Sequence, residues 1–143
     1  MNRHADPRMQ RGEPQAGTVP LILLPGTVCD ERLFAPLMAR LDHPDMRVLT
    51  MDGATSTPEL AQKLLAVAPE RFALLGFSLG GIVALEMVAQ APERIERLAL
   101  VDTTPRPDPA ERADTRRAQV ARARETGMDG YIVDAWQQLV SPA

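Results

Sequence analysis

In Phe72-Ala73-Leu74-Leu75-Gly76-Phe77-Ser78-Leu79-Gly80-Gly81-Ile82-Val83, two kinds of patterning meet. Phe72 to Leu75 is apolar at consecutive positions, as a parallel strand covered on both faces should be. Gly76 to Gly81 forms a tight turn, and the helix after it runs to about Ala91 and stops at Pro92. A strand, a turn and a helix within so few residues make up half of a β-α unit.

The alternation continues on both sides. Val19 to Leu24 is a strand ended by Pro25-Gly26, and Asp30 is placed to cap a helix through about Leu41. That helix would carry Leu33, Phe34, Leu37, Met38 and Leu41 on one face. Met46 to Met51 is a second strand ended by Asp52-Gly53. Thr57 caps the next helix with Pro58 at its first position, and Leu60, Leu64, Leu65 and Val67 lie along it. Leu98 to Val101 is the fourth strand. Short links between alternating strands and helices predict an α/β fold with a parallel sheet of about four strands and flanking helices.

Beyond Asp102 the texture changes. Thr103 to Pro109 holds three prolines, and Ala110 to Thr126 is rich in Arg and Glu and weakly amphipathic. Gly127 and Gly130 bracket a break before a shorter helix, Tyr131 to Val140, with Ile132, Val133, Trp136 and Leu139. At the other end, Met1 to Thr18 is polar, carries Pro7 and Pro14, and reads as a floppy leader without the apolar stretch of a secretory signal. The expected organisation is a leader over 1–18, an α/β core over 19–104 and a helical segment over 105–143.

Composition narrows the function classes. Hydrophobic residues make up 45% and charged residues 24% of the 143 residues, the balance of an ordinary globular protein. The longest apolar run is about six residues against the ~20 needed to cross a bilayer, so no membrane span is expected. A formal net charge of −3 offers no basic field for nucleic acid. One cysteine, Cys29, can form neither an internal disulfide nor a metal cluster, which points to a reducing, cytoplasmic setting.

Gly76-Phe77-Ser78-Leu79-Gly80 fits G-x-S-x-G, the nucleophile elbow, and it lies between a predicted strand and a predicted helix as that motif requires. A serine on so sharp a turn crowds the residues two before and two after it, and glycine relieves the crowding. The strained turn lifts the serine Oγ to the carboxyl edge of the strand, under the positive end of the helix. Gly81 adds a third small residue where the helix must approach the sheet. A dinucleotide fingerprint would need glycine in place of Ser78, and no Gly-Lys-Ser/Thr is present for a phosphate loop. Acyl transfer needs two N–H donors on the oxyanion. Leu79, after the serine, is one candidate, and Thr27, after Leu23-Leu24-Pro25-Gly26, is the other.

Leu23 to Thr27 with Cys29-Asp30-Glu31-Arg32-Leu33-Phe34, Gly76 to Gly81, and Ala91-Pro92-Glu93-Arg94-Ile95-Glu96-Arg97-Leu98-Ala99-Leu100-Val101-Asp102-Thr103 together resemble the α/β-hydrolase superfamily, nearest its small esterase-like members with a helical cap. The resemblance runs over about Val19 to Val140. It implies a sheet ordered second, first, third, fourth strand, with Thr27 and Ser78 flanking the topological switch point. It also implies a small ester or thioester substrate, no metal or organic cofactor, and an acyl-enzyme on Ser78. Epoxide-hydrolase or dehalogenase chemistry, which uses Asp at that position in this family, is disfavoured.

The family's triad runs serine, acid, histidine along the chain. No histidine follows Ser78, so the resemblance covers only an amino-terminal half, and the later strands that carry acid and base are absent. His43 precedes the second strand, roughly 16 Å from the catalytic edge at ~3.3 Å per residue. His4 lies in the leader. Asp102, at the end of the fourth strand, is where some family members place the acid, and it equally suits capping of the next turn. Asp52 reads as turn support, and Cys29 as packing. The rival to the hydrolase is a non-catalytic relative, serving as a binding or interaction module or an inert fragment. An apolar fourth strand without internal charge or proline would be an unguarded edge, inviting self-association or a partner that supplies further strands.

Overall fold

The computed structural model describes residues 18–139. The stretch 1–17, with His4, and Val140 lie outside the described residues, as do the side chains of Trp136 and Leu139. Four strands, β1 (Leu21–Leu24), β2 (Met46–Val48), β3 (Phe72–Phe77) and β4 (Ile95–Val101), build one sheet in the spatial order β2-β1-β3-β4. Every pairing is parallel, with Leu24 beside Gly76 and Phe77 beside Val101. The order reverses between β1 and β3, so the carboxyl ends of these strands border the switch point where open α/β sheets bind ligands. Both the parallel sheet and its order match the sequence reading.

The connecting helices are α1 (Ala35–Met38), α2 (Thr57–Val67) and α3 (Leu79–Gln90). Ile22, Leu24, Phe72 and Leu74 from the strands bury against Leu64 and Leu65 of α2 and Val83 and Met87 of α3. Ser56, rather than Thr57, is the N-cap of α2: its Oγ accepts from the Glu59 N–H, and Pro58 sits in the first turn where no N–H is needed. Val67 lies past the buried stripe of α2 and is exposed.

Three local expectations are corrected. Asp30 caps a short 3₁₀ turn, Glu31–Phe34, followed by α1, in place of one amphipathic helix. Pro36, near the start of α1, cannot donate back to the preceding turn, and only Phe34 is buried while Leu33 and Leu41 are exposed. β2 stops at Val48, so Asp52 ends no strand. β4 begins three residues earlier than Leu98, and Glu96 and Arg97 are therefore inside it. A register shift opposite Phe72 and Ala73 makes Glu96 the extra residue of a bulge. The edge is thus charged and irregular at its start, yet Leu98, Leu100 and Val101 remain 41%, 40% and 45% exposed.

The compact unit holding the sheet ends at Pro105, and a second begins at Arg106. Its helix α4 (Arg112–Leu139) starts two residues later than expected and breaks at Gly127, whose φ of +73° and ψ of 178° are non-helical. The helix resumes directly after that residue, so Gly130 is helical and the break is narrower than the two glycines suggest. No helix among the described residues is long and apolar enough to cross a membrane.

Candidate functional site

Among the described residues, three non-glycine residues have positive φ: Val28 (52°), Ser78 (52°) and Asp102 (49°). Each follows the carboxyl end of a strand, β1, β3 and β4 respectively. Positive φ brings Cβ against the following carbonyl, at a cost of order 1–3 kcal/mol for a residue with a side chain. One edge of the sheet therefore concentrates the strain.

Ser78 has ψ of −116°, leaves β3 and opens α3. Its N–H donates to the Val101 carbonyl at 2.9 Å, so β4 holds the turn from the side. Its hydroxyl does not cap α3. A Cβ on Gly76 would strike the Gly80 carbonyl, and one on Gly80 would strike the carbonyls of Leu24 and Pro25, which explains glycine two residues either side of the serine. Ser78 is half-buried, at the positive end of a twelve-residue helix.

The loop after β1 comes directly alongside. A Cβ on Gly26 would lie 3.3 Å from Ser78 Cβ and 3.1 Å from the Phe77 ring, so the absent side chain lets this backbone reach the serine. The Cys29 N–H donates to the Gly26 carbonyl at 3.2 Å, closing a turn with Thr27 and Val28 at its centre. Thr27, in the second position, keeps its N–H out of the closing bond, and it is exposed. Leu79, first residue of α3, likewise has no intrahelical acceptor for its N–H. Cys29 is exposed rather than packed, and its thiol donates to the Thr27 carbonyl at 3.4 Å.

Asp102 is exposed beside this edge, and among the described residues its carboxylate has no hydrogen-bond partner. His43 lies before β2, at the amino end of the sheet, where its Nδ1 accepts from the Asp45 N–H at 3.3 Å. A groove of about 500 Å³ runs past it, lined in part by Leu21, Ala73 and Arg97, and does not include Ser78, Thr27 or Asp102. The structure thus brings Gly26, the neighbour of Thr27, against Ser78 at the start of α3, sets Asp102 at the same edge and leaves His43 at the other. Carboxylates held below their usual range are explained elsewhere: Asp45 by hydrogen bonds from Arg47, and Glu59 by the Thr55 N–H and then Lys63. Among the described residues no group of His, Cys, Asp and Glu is placed to hold a metal ion.

Two residues at this edge escape a reading of the sequence. Val28 gives no signal, because a β-branched residue is a poor candidate for positive φ. Thr103, whose Oγ1 donates to the Ser78 carbonyl at 2.8 Å, is signalled only as a hydroxyl residue past a strand end.

Residues 59–133, just over half of the chain, match the family model described as alpha/beta hydrolase fold. The chain is 37% identical over 100 residues to a pimeloyl-[acyl-carrier protein] methyl ester esterase of Pectobacterium carotovorum, covering 63% of this chain and 39% of that relative. Its structure is similar to a thermophilic esterase from Thermogutta terrifontis, with a TM-score of 0.64, 26% identity and coverage of 78% of this chain and 47% of that one. A carboxylesterase structure from Nitrososphaera gargenis shares the fold, with a TM-score of 0.70 at 19% identity, over 90% of this chain and 52% of the other. The chain spans about two fifths to one half of the length of these relatives.

Proposed function

As the chain belongs to the alpha/beta hydrolase fold family, we propose that it is the part of an esterase that carries the nucleophile, Ser78, and the oxyanion donors, Leu79 and Thr27. In this reading the Ser78 Oγ attacks an ester carbonyl as its proton passes to a general base. The tetrahedral oxyanion accepts from the N–H groups of Leu79 and Thr27; collapse breaks the ester C–O bond, the proton passes to the departing alkoxide, and water then cleaves the acyl-serine to the acid and the free hydroxyl. The observation that carries the reading is the backbone of Ser78: φ of 52° and ψ of −116° at a strand end beneath a helix N-terminus. A turn with no chemical task has no reason to hold serine where glycine would relax it.

The relatives' names favour a carboxylic ester, such as a methyl ester of a carrier-bound acyl chain, over a thioester. Asp102 is proposed as the acid on the strength of its edge alone. Of the chain's histidines the described one, His43, sits at the opposite end of the sheet, and none follows Ser78, so in this reading the general base is not supplied by this chain. A general base contributes about 10²–10⁴-fold. These 143 residues alone are therefore expected to turn over activated aryl esters at least about a hundredfold below the ~10 s⁻¹ of a typical enzyme. Self-association through β4 belongs to the same reading, since its apolar residues stay exposed, and light scattering at micromolar concentration tests it.

The position of His43 favours a second reading, a module that binds without turnover. A fluorophosphonate probe with peptide mapping separates the two. Slow formation of an adduct on Ser78, absent in Ser78→Ala, supports the hydrolase. No adduct at Ser78 after prolonged exposure leaves the binding module.

A further inference from the structure

Ser78 is held at both poles of its backbone by the segment that leaves β4. Its N–H donates to the Val101 carbonyl at 2.9 Å, and its carbonyl accepts from Thr103 Oγ1 at 2.8 Å. Between these contacts Asp102, with φ of 49°, bends the chain, and Thr103 lies against Ser78 and Gly81 at the start of α3. Gly81 makes room for it, since a Cβ there would lie 2.5 Å from Thr103 Cγ2 and 2.6 Å from Thr103 Oγ1.

The other donors to the Ser78 carbonyl are the N–H groups of Gly81 at 2.9 Å and Ile82 at 3.4 Å. The latter bond is long because Ser78 itself has non-helical dihedrals. The helix therefore grips this carbonyl unevenly, and the Thr103 hydroxyl makes the shortest contact. A trans peptide is planar, and its C=O and N–H point in opposite directions. Whatever fixes the Ser78 carbonyl also aims the Leu79 N–H.

We propose that Thr103 is a positioning residue for acyl transfer: its hydroxyl orients the Ser78–Leu79 peptide so that the Leu79 N–H points to where the oxyanion forms. This rests on the reading of Ser78 as nucleophile. Losing an oxyanion donor outright costs about 10²–10³-fold. Loosening its aim is expected to cost about tenfold, near the upper worth of one neutral hydrogen bond.

The test compares Thr103→Val, which keeps the volume and removes the hydroxyl, with Thr103→Ser, which keeps the hydroxyl. Two quantities are read: the rate of fluorophosphonate adduct formation on Ser78, and the Leu79 N–H residual dipolar coupling. The expected result is a rate about tenfold lower in T103V and a shifted coupling there, with both near wild type in T103S. Labelling of T103V at the wild-type rate with an unchanged coupling overturns the proposal. So does equal loss in both variants, which marks a packing role. If Ser78 is unlabelled in the wild type, the nucleophile reading fails. The coupling then decides the role of Thr103: an unchanged value in T103V overturns it and a shift upholds the orienting contact. Should T103V fail to fold, Thr103→Ala replaces it in the same comparison.

Discussion

The two ends of the sheet are built on opposite terms. At the carboxyl ends of β1, β3 and β4, Val28, Ser78 and Asp102 all adopt positive φ. At the amino ends no described non-glycine residue has positive φ, and the pairing is dense despite the bulge at Glu96. The Leu21 N–H donates to the Asp45 carbonyl and the Ala73 N–H to the Pro20 carbonyl, both at 2.8 Å. Arg94 donates to the carbonyls of Leu65, Ala68, Pro69 and Glu70, at the end of α2 and in the link after it, and lies 5.8 Å from the Phe72 ring centroid. Arg47 pairs with Asp45, and Arg71 with Glu96, at 2.7 Å each. Strain at one end persists because the other end and the core over-determine the fold.

The contrast can be broken most severely at the elbow. Gly80→Ala sets a Cβ into the Leu24 and Pro25 carbonyls and is expected to lower stability by about 3 kcal/mol in denaturant unfolding. At the amino end, Arg94→Ala abandons four carbonyls at and just beyond the end of α2 and should cost about 2–3 kcal/mol. Arg94→Lys should recover less than half of that, because an ammonium cannot span the same acceptors. Val28→Gly should act in the opposite direction, raising stability by about 1 kcal/mol as the strain of a β-branched residue at positive φ outweighs the added chain entropy. The smallest effect concerns pH. Arg47 holds the Asp45 carboxyl below its usual value, so its contribution is present above about pH 4 and lost as pH falls through the lowered value. Asp45→Asn should flatten that acid limb by less than about 1 kcal/mol, the scale of a partly exposed pair.

These two ends were not equally legible in the sequence. Strand existence, the parallel sheet and the elbow follow from apolar runs, short links and two glycines around Ser78, because backbone sterics act locally, whereas the strand order came only with the family resemblance. The first half of β4 was hidden: Ile95-Glu96-Arg97 breaks the apolar pattern, and the bulge there depends on pairing with Phe72 and Ala73. Division of the segment after Asp30 turned on Pro36, whose effect the apolar spacing of Leu33 and Leu37 masked. Thr103 could not be assigned, since its contact with Ser78 exists only once Phe77 and Val101 are in register. The staple formed by Arg94 is of the same kind, local in neither partner.

Ser78 occupies a conformation that its side chain disfavours, and the proposed nucleophile role is what would keep serine there. Equilibrium unfolding of Ser78→Gly against the wild type measures this directly. The glycine variant is expected to be more stable, by about 1 kcal/mol after its added unfolded-state entropy, while fluorophosphonate labelling at residue 78 disappears. A glycine variant no more stable than the wild type would contradict it, for the turn would then hold no strain and the elbow no special claim on its serine.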